Sequence, residues 1–372
     1  MKALIQADLE RLERNLGALL QYPARTALMV LGLVAAVVVA LAFLRLPVGL
    51  VVVGAALAAG AAVLGRTRLL LVVFLAAALV VLPFVTGDQY WLRVTVTLGI
   101  FVLLALGLNV IVGFTGVLDL GFIAFYGIGA YTAALLMLKL HWSFWAALPA
   151  AVAAAALLGV LRGLPTLRLS GDYLAIVTLG FGEIVRMVFT NWVGLTNGPM
   201  GLRGLEAPRL GSFSFGFDVA RGGYTRYYFL ILALVGVGVY VMYRLRHSRP
   251  GRALLAIREN EMAAAAMGVD LARYKTLAYA LGAAFGGAAG AYFASFNLFV
   301  SPNSFVFFES AIVLVMVVIG GMGSIAGAAL GAVLLGAFPE LLRFLAEWRY
   351  MIFGLLMVVV AVFRPRGLVR PS

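Results

Sequence analysis

Long apolar runs recur along the chain and alternate with short polar segments. Ten runs are continuous or nearly so, one run carries Asp119 and several glycines, and the last run is short. An apolar α-helix needs about 20 residues to cross the hydrocarbon core of a bilayer, so the pattern predicts an all-α polytopic transmembrane bundle of about 10–12 segments. The runs are residues 27–44, 47–64, 69–85, 94–113, 114–138, 142–161, 174–188, 227–243, 277–296, 305–320, 325–345 and 351–363.

The composition excludes a soluble fold. Of the 372 residues, 64% are hydrophobic and 12% are charged, whereas soluble domains are about 45–50% apolar and about 25% charged. The formal net charge is +13. In a membrane protein such an excess arises because Lys and Arg are retained on the cytoplasmic side, so the charge does not require a nucleic-acid partner and we expect none. The chain has no cysteine and two histidines, so we expect no metal site, no cofactor and no Cys/His catalytic centre.

The placement of charge and polar residues predicts the topology. Residues 244–275 and the tail 364–372 are rich in arginine and should be cytoplasmic. An even number of spans lies between them, and parity then puts 191–226 outside and the N-terminus inside. The external segment is rich in Gly, Pro and Ser, and it is either a docking surface for an external partner or a connecting loop. Residues 1–26 read as an interfacial amphipathic helix before a transmembrane domain over 27–363.

Glycines recur at every fourth position in two of the apolar runs. This spacing places small residues on one helix face and allows close backbone packing in lipid, which is the preferred interpretation; the alternative is a lining for the permeation path. The glycines are Gly282, Gly286 and Gly290 in one run, and Gly323, Gly327 and Gly331 in the other.

Two similar glycine motifs, 112–116 and 319–323, each follow an apolar helix and precede small residues. They suggest two related halves, as in many transporters, although chance recurrence of glycine explains them equally well. Interrupted helices expose backbone groups to solutes, so residues 113–129 are the predicted part of the pathway. The candidates in this region are Gly113, Gly116, Asp119 and Gly121.

Ionisable residues within the runs each need a physical reason, because burying one in a membrane costs roughly 2.5–3.5 kcal/mol on insertion scales. Glu183 and Arg186 lie three residues apart on a helix and can neutralise each other. Glu183 is also a candidate for the translocation path, and Glu309 is expected at an interface.

The cytoplasmic stretch 250–268 is rich in alanine and should form a short helix that ends at Gly268. A short helix that projects between two spans is typical of the segment by which a membrane subunit binds a cytosolic, energy-supplying subunit. The alternative is a helix that lies idle on the membrane surface.

Five segments together resemble the LivM-type permeases of branched-chain amino-acid ABC importers. The likeness extends from about residue 94 to residue 368 and is carried by residues 108–116, 127–133, 171–186, 252–268 and 363–368. The resemblance implies a multi-pass protein of a bacterial or archaeal plasma membrane. It also implies four kinds of partner: a second permease, two cytosolic ATP-binding subunits, an external solute-binding protein for leucine, isoleucine and valine, and the lipid membrane.

The resemblance further implies that residues 261–268 couple the permease to the ATP-binding subunits. Met262 stands where the family pattern has alanine, so the match is loose there. The implied coupling residues of this region are Arg252, Arg258, Glu259, Glu261, Ala264 and Gly268.

The chain is expected to be a non-catalytic subunit, with ATP hydrolysed by its partners. Its lysines are Lys2, Lys139 and Lys275, and Tyr274 stands where a phosphate-binding loop needs glycine. Related permeases carry urea or short amides, which is the alternative for the solute. An ion-coupled secondary transporter would need Asp119, Glu183 or Glu309 as a titrating carrier, and an intramembrane enzyme lacks any catalytic constellation in the runs.

Overall fold

The computed structural model describes residues 89–167, 171–210, 213–215 and 224–341, and the single positions 348, 351, 354, 355 and 369. The predicted interfacial helix, the first three predicted spans and most of the last span and tail lie outside these residues. The chain divides into two compact units, residues 1–91 and 92–372, and all but three of the described residues belong to the second unit.

Long helices make up the first part of the described chain. Helix α1 continues directly into a π-helix, Asn109–Gly113, and a nine-residue connector, residues 114–122, then leads into α2. The four helices are α1 (Gln89–Leu108), α2 (Ile123–Lys139), α3 (Phe144–Thr166) and α4 (Asp172–Asn191).

Short elements follow α4 in the predicted external segment. They are α5 (Val193–Thr196), a 3-10 turn (Gly198–Met200), β1 (Leu202–Arg203), β2 (Arg209–Leu210) and β3 (Phe213–Ser214). Strand β2 pairs with β3, and β1 pairs antiparallel with β4 (Phe299–Val300). The β1–β4 pairing attaches the external segment to the turn after a later helix. The sequence had predicted turns here but no strands.

The second part of the described chain contains four long or medium helices and two short ones. Its elements are α6 (Thr225–His247), α7 (Arg249–Glu259), α8 (Glu261–Ala266), α9 (Leu271–Asn297), α10 (Phe307–Gly320) and α11 (Ile325–Leu341). Another 3-10 turn, Pro302–Ser304, lies between β4 and α10.

Within the described ranges, six helices are long and apolar enough to cross a membrane, and α2 and α11 are shorter apolar helices. The predicted fold class, an all-α polytopic membrane bundle, is confirmed. The total of 10–12 segments stays a prediction, because the runs before residue 89 lie outside the described part of the chain.

The interior is built around α9, which packs on α2 and α3. Four alanines at this junction, Ala133, Ala147, Ala151 and Ala291, are fully buried. Small side chains let the three helix backbones approach closely, which increases dispersion contacts where lipid gives no hydrophobic drive between helices.

Two of the predicted helical segments are interrupted in the structure. The run 114–138 is helical without interruption only from Ile123, so Gly127 and Gly129 lie inside a continuous helix and the break is confined to the connector. The single helix predicted within 250–268 is two helices that are separated at Asn260. This asparagine has extended backbone angles, and its side chain accepts a hydrogen bond from the Ala263 amide, as an N-cap does.

Candidate functional site

Two glycine-rich turns that are distant in sequence lie against each other. The first glycine turn comprises residues 113–116 and the second comprises residues 320–323. The Asn109 side chain joins them: its Oδ1 accepts a hydrogen bond from the Gly323 amide at 2.8 Å, and its Nδ2 donates to the Ser324 carbonyl at 3.2 Å. Asn109 is fully buried, so both bonds are shielded from water and hold the turns in register.

The junction of the two turns requires glycine for two reasons. A Cβ atom at Gly113 would overlap the Asn109 side chain and the Gly323 amide nitrogen. Gly116 and Gly323 have φ angles of +72° and +81°, a backbone region that favours glycine. The two glycine motifs seen in the sequence are therefore two turns that meet in space.

Arg258 reaches from α7 into this junction. Its Nη1 atom donates to the Gly113 carbonyl at 2.8 Å and to the Met322 carbonyl at 3.4 Å. The guanidinium thus bridges both glycine turns, and its stem passes beside Gly116. A cation is favourable here because carbonyl groups at the end of a helix carry partial negative charge.

The tail also meets the second glycine turn. The Val369 amide donates to the Gly320 carbonyl at 3.1 Å, and a Cβ atom at Gly321 would overlap the Val369 carbonyl. The two segments that the charge pattern assigns to the cytoplasm, the stretch carrying Arg258 and the tail carrying Val369, therefore contact the same turn.

The helices α7 and α8, called the helix pair below, are fixed to the bundle by a second polar contact. Lys275, buried in the first part of α9, donates to Glu261 at 2.5 Å. Gly268 ends α8 with a φ of +84°, and the Gly268 amide donates to the Ala265 carbonyl, so the predicted helix end is found.

Two methionine side chains are exposed at the helix pair, one in α8 and one at the residue directly after it. Met262 and Met267 are 81% and 85% exposed. Arg252 and Glu259 are also exposed, whereas Ala264 is buried and Arg258 points inward. The six implied coupling residues thus do not form one surface. The most exposed apolar side chains of this region are Met262, which sequence reasoning had treated only as a departure from the family pattern, and Met267, which it had not singled out.

The connector after the first glycine turn carries a buried ion pair. Asp119 pairs with Arg162 of α3, and both side chains are almost completely removed from solvent. The other Asp119 oxygen accepts from the Gly121 amide at 2.9 Å. The rings of Phe125 and Tyr279 lie 4.7 and 4.8 Å from the Arg162 guanidinium carbon, which gives the cation further favourable contacts. Asp119 therefore lies in the packed interior.

The connector also touches α4. The Leu120 amide donates to Thr178 Oγ1 at 3.1 Å, and a Cβ atom at Gly121 would overlap the Thr178 carbonyl. Gly121 faces Gly182 at the same contact, so the two backbones are in direct apposition. The candidates Gly113, Gly116, Asp119 and Gly121 are thus brought together along one connector.

Glu183 and Arg186 form the ion pair that their spacing predicts. Arg186 Nε donates to both carboxylate oxygens, at 2.9 and 3.0 Å, and the two side chains are 34% and 27% exposed on this chain. The same helix exposes a row of large apolar side chains: Tyr173, Ile176, Ile184 and Met187. Glu309 lies half-buried in the first turn of α10.

The glycine columns lie at helix contacts. Added Cβ atoms on the α9 column would overlap Ile111 at Gly282, approach the Phe125 backbone at Gly286 and overlap the Tyr126 carbonyl at Gly290. In the second column, Gly323 belongs to the junction, while Gly327 and Gly331 lie against α10 at Gly320 and Met316.

The residues that sequence reasoning missed are Asn109, Ser324 and the pairing of Asp119 with Arg162. Asn109 is a polar residue within an apolar run and adjoins the first glycine motif, which could have marked it. Within the described residues, His, Asp and Glu side chains form no group of three or more that could hold a metal ion.

The span-length helices define a polytopic α-helical membrane protein. The family profile described as "Branched-chain amino acid transport system / permease component" matches residues 90–361. The chain therefore belongs to this permease family.

Three relatives show how far the similarity extends. The high-affinity branched-chain amino acid permease LivM of Escherichia coli K12 is 42% identical over 320 residues, which cover 82% of this chain and 75% of the relative. LivM of Salmonella typhimurium LT2 is 44% identical over 286 residues, 72% of this chain and 67% of the relative. The LivH permease of the same Salmonella strain is 25% identical over 298 residues, 74% of this chain and 94% of the relative. No solved structure matches the chain significantly.

Proposed function

We propose that this protein is a permease subunit of an ATP-driven importer of branched-chain amino acids. The observation that carries the proposal is the identity of 42% and 44% to two LivM permeases over most of each chain. These relatives are named for branched-chain amino acids, which favours leucine, isoleucine and valine over urea or short amides as the solute.

The proposed partners are a second permease, two ATP-binding subunits and an external binding protein. The similarity to both LivM and LivH permeases supports pairing with a related permease. Hydrolysis on partner subunits is supported by the two described lysines: Lys139 donates to the Gly194 carbonyl, and Lys275 is buried against Glu261. Both lysines are thus engaged within the chain.

The proposed contact with the ATP-binding subunits is the outward side of α8 around Met262 and Met267. At 81% and 85%, they are more exposed than any other large apolar side chain in the described part of the chain, and an exposed apolar pair of this kind is typical of an interaction site. Methionine adapts to irregular partner surfaces because its side chain is flexible and polarisable.

The proposed translocation path runs along the exposed face of α4 that carries Glu183 and Arg186. Ion pairs at membrane depth face protein or water rather than lipid, because lipid cannot solvate them. A path between this face and the second permease would give the ion pair contact with water and would cover the apolar row beside it with protein. Asp119 lies apart from this face, since Arg162 holds it in the interior.

A secondary transporter is less well supported, because such a mechanism needs a carboxylate free to take up a proton. Asp119 and Glu183 are each held by an arginine. Residues 244–275 and 364–372 are proposed to be cytoplasmic, which their common contact with the second glycine turn supports.

Uptake by the reconstituted complex tests the proposal. The chain, its companion permease, the ATP-binding subunits and the binding protein are placed in proteoliposomes, and uptake of labelled leucine is measured with excess valine or excess urea as competitor. We expect leucine uptake to require ATP and the binding protein, to be reduced by valine, and to be unaffected by urea. Uptake of labelled urea instead of leucine, or leucine uptake without ATP, would overturn it.

A further inference from the structure

The contact between Arg258 and the two glycine turns differs from every other polar contact described for the helix pair. Ser248 and Asn260 cap their own helices, and Glu261 bonds to the adjoining helix α9. Arg258 instead reaches carbonyls that precede it by 145 residues and follow it by 64 residues. One side chain thus connects the helix pair to both turns.

We infer that Arg258 is a positioning residue that ties the helix pair to both glycine turns, so that displacement of the pair by the ATP-binding subunits moves the two turns together. The inference rests on the proposed function, because it takes the helix pair as the part on which those subunits act.

The first glycine turn connects Arg258 to α4 through closely packed contacts. Six residues after Gly113, Asp119 is fixed by Arg162 and by the Gly121 amide. Gly121 in turn lies in backbone contact with α4 at Thr178. A shift of the first turn therefore reaches the helix that carries the proposed path, through packed groups rather than through a loose loop.

The second glycine turn connects Arg258 to α10 and α11. Gly320 lies in backbone contact with Gly327 across these helices, and the second turn connects them directly. Asn109 bonds the second turn to the π-helix, so the two turns already form one unit. Arg258 attaches that unit to the helix pair.

Arginine suits this position better than lysine. The Nη1 atom of a guanidinium carries two N–H donors held in a fixed plane and the group remains charged, so Nη1 bonds to two carbonyls at once. Lysine keeps the charge on a single rotating group and reaches both carbonyls less well. The variant Arg258→Lys should accordingly retain part of the effect, and Arg258→Ala should lose it.

The experiment compares Arg258→Ala and Arg258→Lys with Arg273→Ala, an exposed arginine in the first turn of α9, in the complete reconstituted complex. We expect Arg258→Ala to retain its ATP-binding subunits and ATP hydrolysis, while leucine imported per ATP hydrolysed falls about tenfold, the change expected when a charged hydrogen bond is lost. Arg258→Lys should give an intermediate ratio, and Arg273→Ala the ratio of the unchanged protein.

A distance measurement makes the test independent of folding yield and solute identity. The absence of cysteine allows paired spin labels at Ala256 with Leu118, and at Ala256 with Ala326, all at exposed positions. With Arg258 present, each of the two distances should be the same in the vanadate-trapped complex as in the nucleotide-free complex, because the helix pair and the turns move together. In Arg258→Ala, vanadate trapping should lengthen at least one of the two distances.

Distances that respond to trapping in the same way with and without Arg258, or an unchanged ratio of import to hydrolysis in Arg258→Ala, would overturn the inference. Failure of the proposed function gives a different result: the unchanged complex would then import no leucine, whatever residue stands at position 258.

Discussion

The buried carboxylate of Asp119 and the buried guanidinium of Arg162 form an ion pair that joins the connector after α1 to α3. The two residues are 43 positions apart in sequence. Both charges are removed from water, so each depends on the other for compensation. The pair therefore fixes the connector between the first glycine turn and α2.

Removal of one member of this pair should strongly destabilise the protein. Asp119→Asn leaves the Arg162 charge buried without its counterion, and breaking such a pair costs about 3–5 kcal/mol. Thermal unfolding of the detergent-solubilised protein should show a large loss of stability, whereas Glu183→Gln, in the half-exposed pair, should cost about 0–1 kcal/mol. The double variant Asp119→Leu/Arg162→Met should recover much of the loss, and equal stabilities for all variants would contradict the structural role of the pair.

The sequence could predict what depends on local spacing. Glu183 and Arg186 are one helical turn apart, so their pairing followed from position alone, and Gly268 marked a helix end because glycine favours the left-handed region found there. Long apolar runs likewise predicted the helical bundle, because a membrane requires long helices with internally satisfied backbone groups.

Contacts between distant segments could not be predicted in this way. Asn109 and Ser324 are 215 residues apart, and no period in one sequence reports that distance. Arg258 was given as a coupling residue only because the family resemblance implies it, and nothing in the neighbouring sequence shows that its side chain turns inward to two backbone carbonyls. The break at Asn260 was hidden by the helix preference of the surrounding alanines, although asparagine is a favoured N-cap residue.

The exposed methionines Met262, in α8, and Met267, directly after it, should be needed for assembly with the ATP-binding subunits. Met267→Glu places a charge in the centre of the proposed contact, which should reduce co-purification of those subunits about tenfold or more, since interface hot spots contribute about 2 kcal/mol or more. Membrane insertion should be unaffected. Met200→Glu, at a methionine 69% exposed in the predicted external segment, is the matched control and should retain the subunits. Equal retention by Met267→Glu would remove α8 from the contact.

Two glycines in long helices should respond differently to the same added methyl group. Gly290 lies against the Tyr126 carbonyl, where a Cβ atom would overlap backbone, whereas Gly236 of α6 has open space around it. Gly290→Ala should lower stability by about 1–3 kcal/mol through overpacking, and Gly236→Ala should have no such effect. Thermal unfolding in detergent measures both. If Gly290→Ala were as stable as the unchanged protein, the close approach of α9 and α2 would be in doubt.

The topology can be tested with single cysteines, since the chain contains none. Glu206 is well exposed in the segment predicted to be external, and Ala265 is exposed on the helix pair predicted to be cytoplasmic. An impermeant maleimide added to intact cells should label Glu206→Cys, and it should label Ala265→Cys only after the membrane is opened. The reverse accessibility would show that the arginine-rich segments are external, against the distribution of positive charge.

Energy coupling through ATP predicts that no carboxylate in the bundle needs to carry a proton. Glu183 is the strictest test, because it lies on the proposed path and its only described charge partner is Arg186, three residues away. In Glu183→Gln the pair is lost but one acceptor oxygen remains for Arg186, so leucine uptake should fall by less than about tenfold, as expected for a partly exposed ion pair.

Uptake by Glu183→Gln and by the unchanged complex should also be equally insensitive to an uncoupler when ATP is held constant, because the proton gradient supplies none of the energy. Glu206→Gln, an exposed glutamate in the external segment, provides the control for loss of a carboxylate outside the bundle. If Glu183→Gln abolished uptake in a complex that still assembles, and the uncoupler stopped uptake by the unchanged complex, the carboxylate would be acting as a proton carrier. The energy would then come from the gradient rather than from ATP.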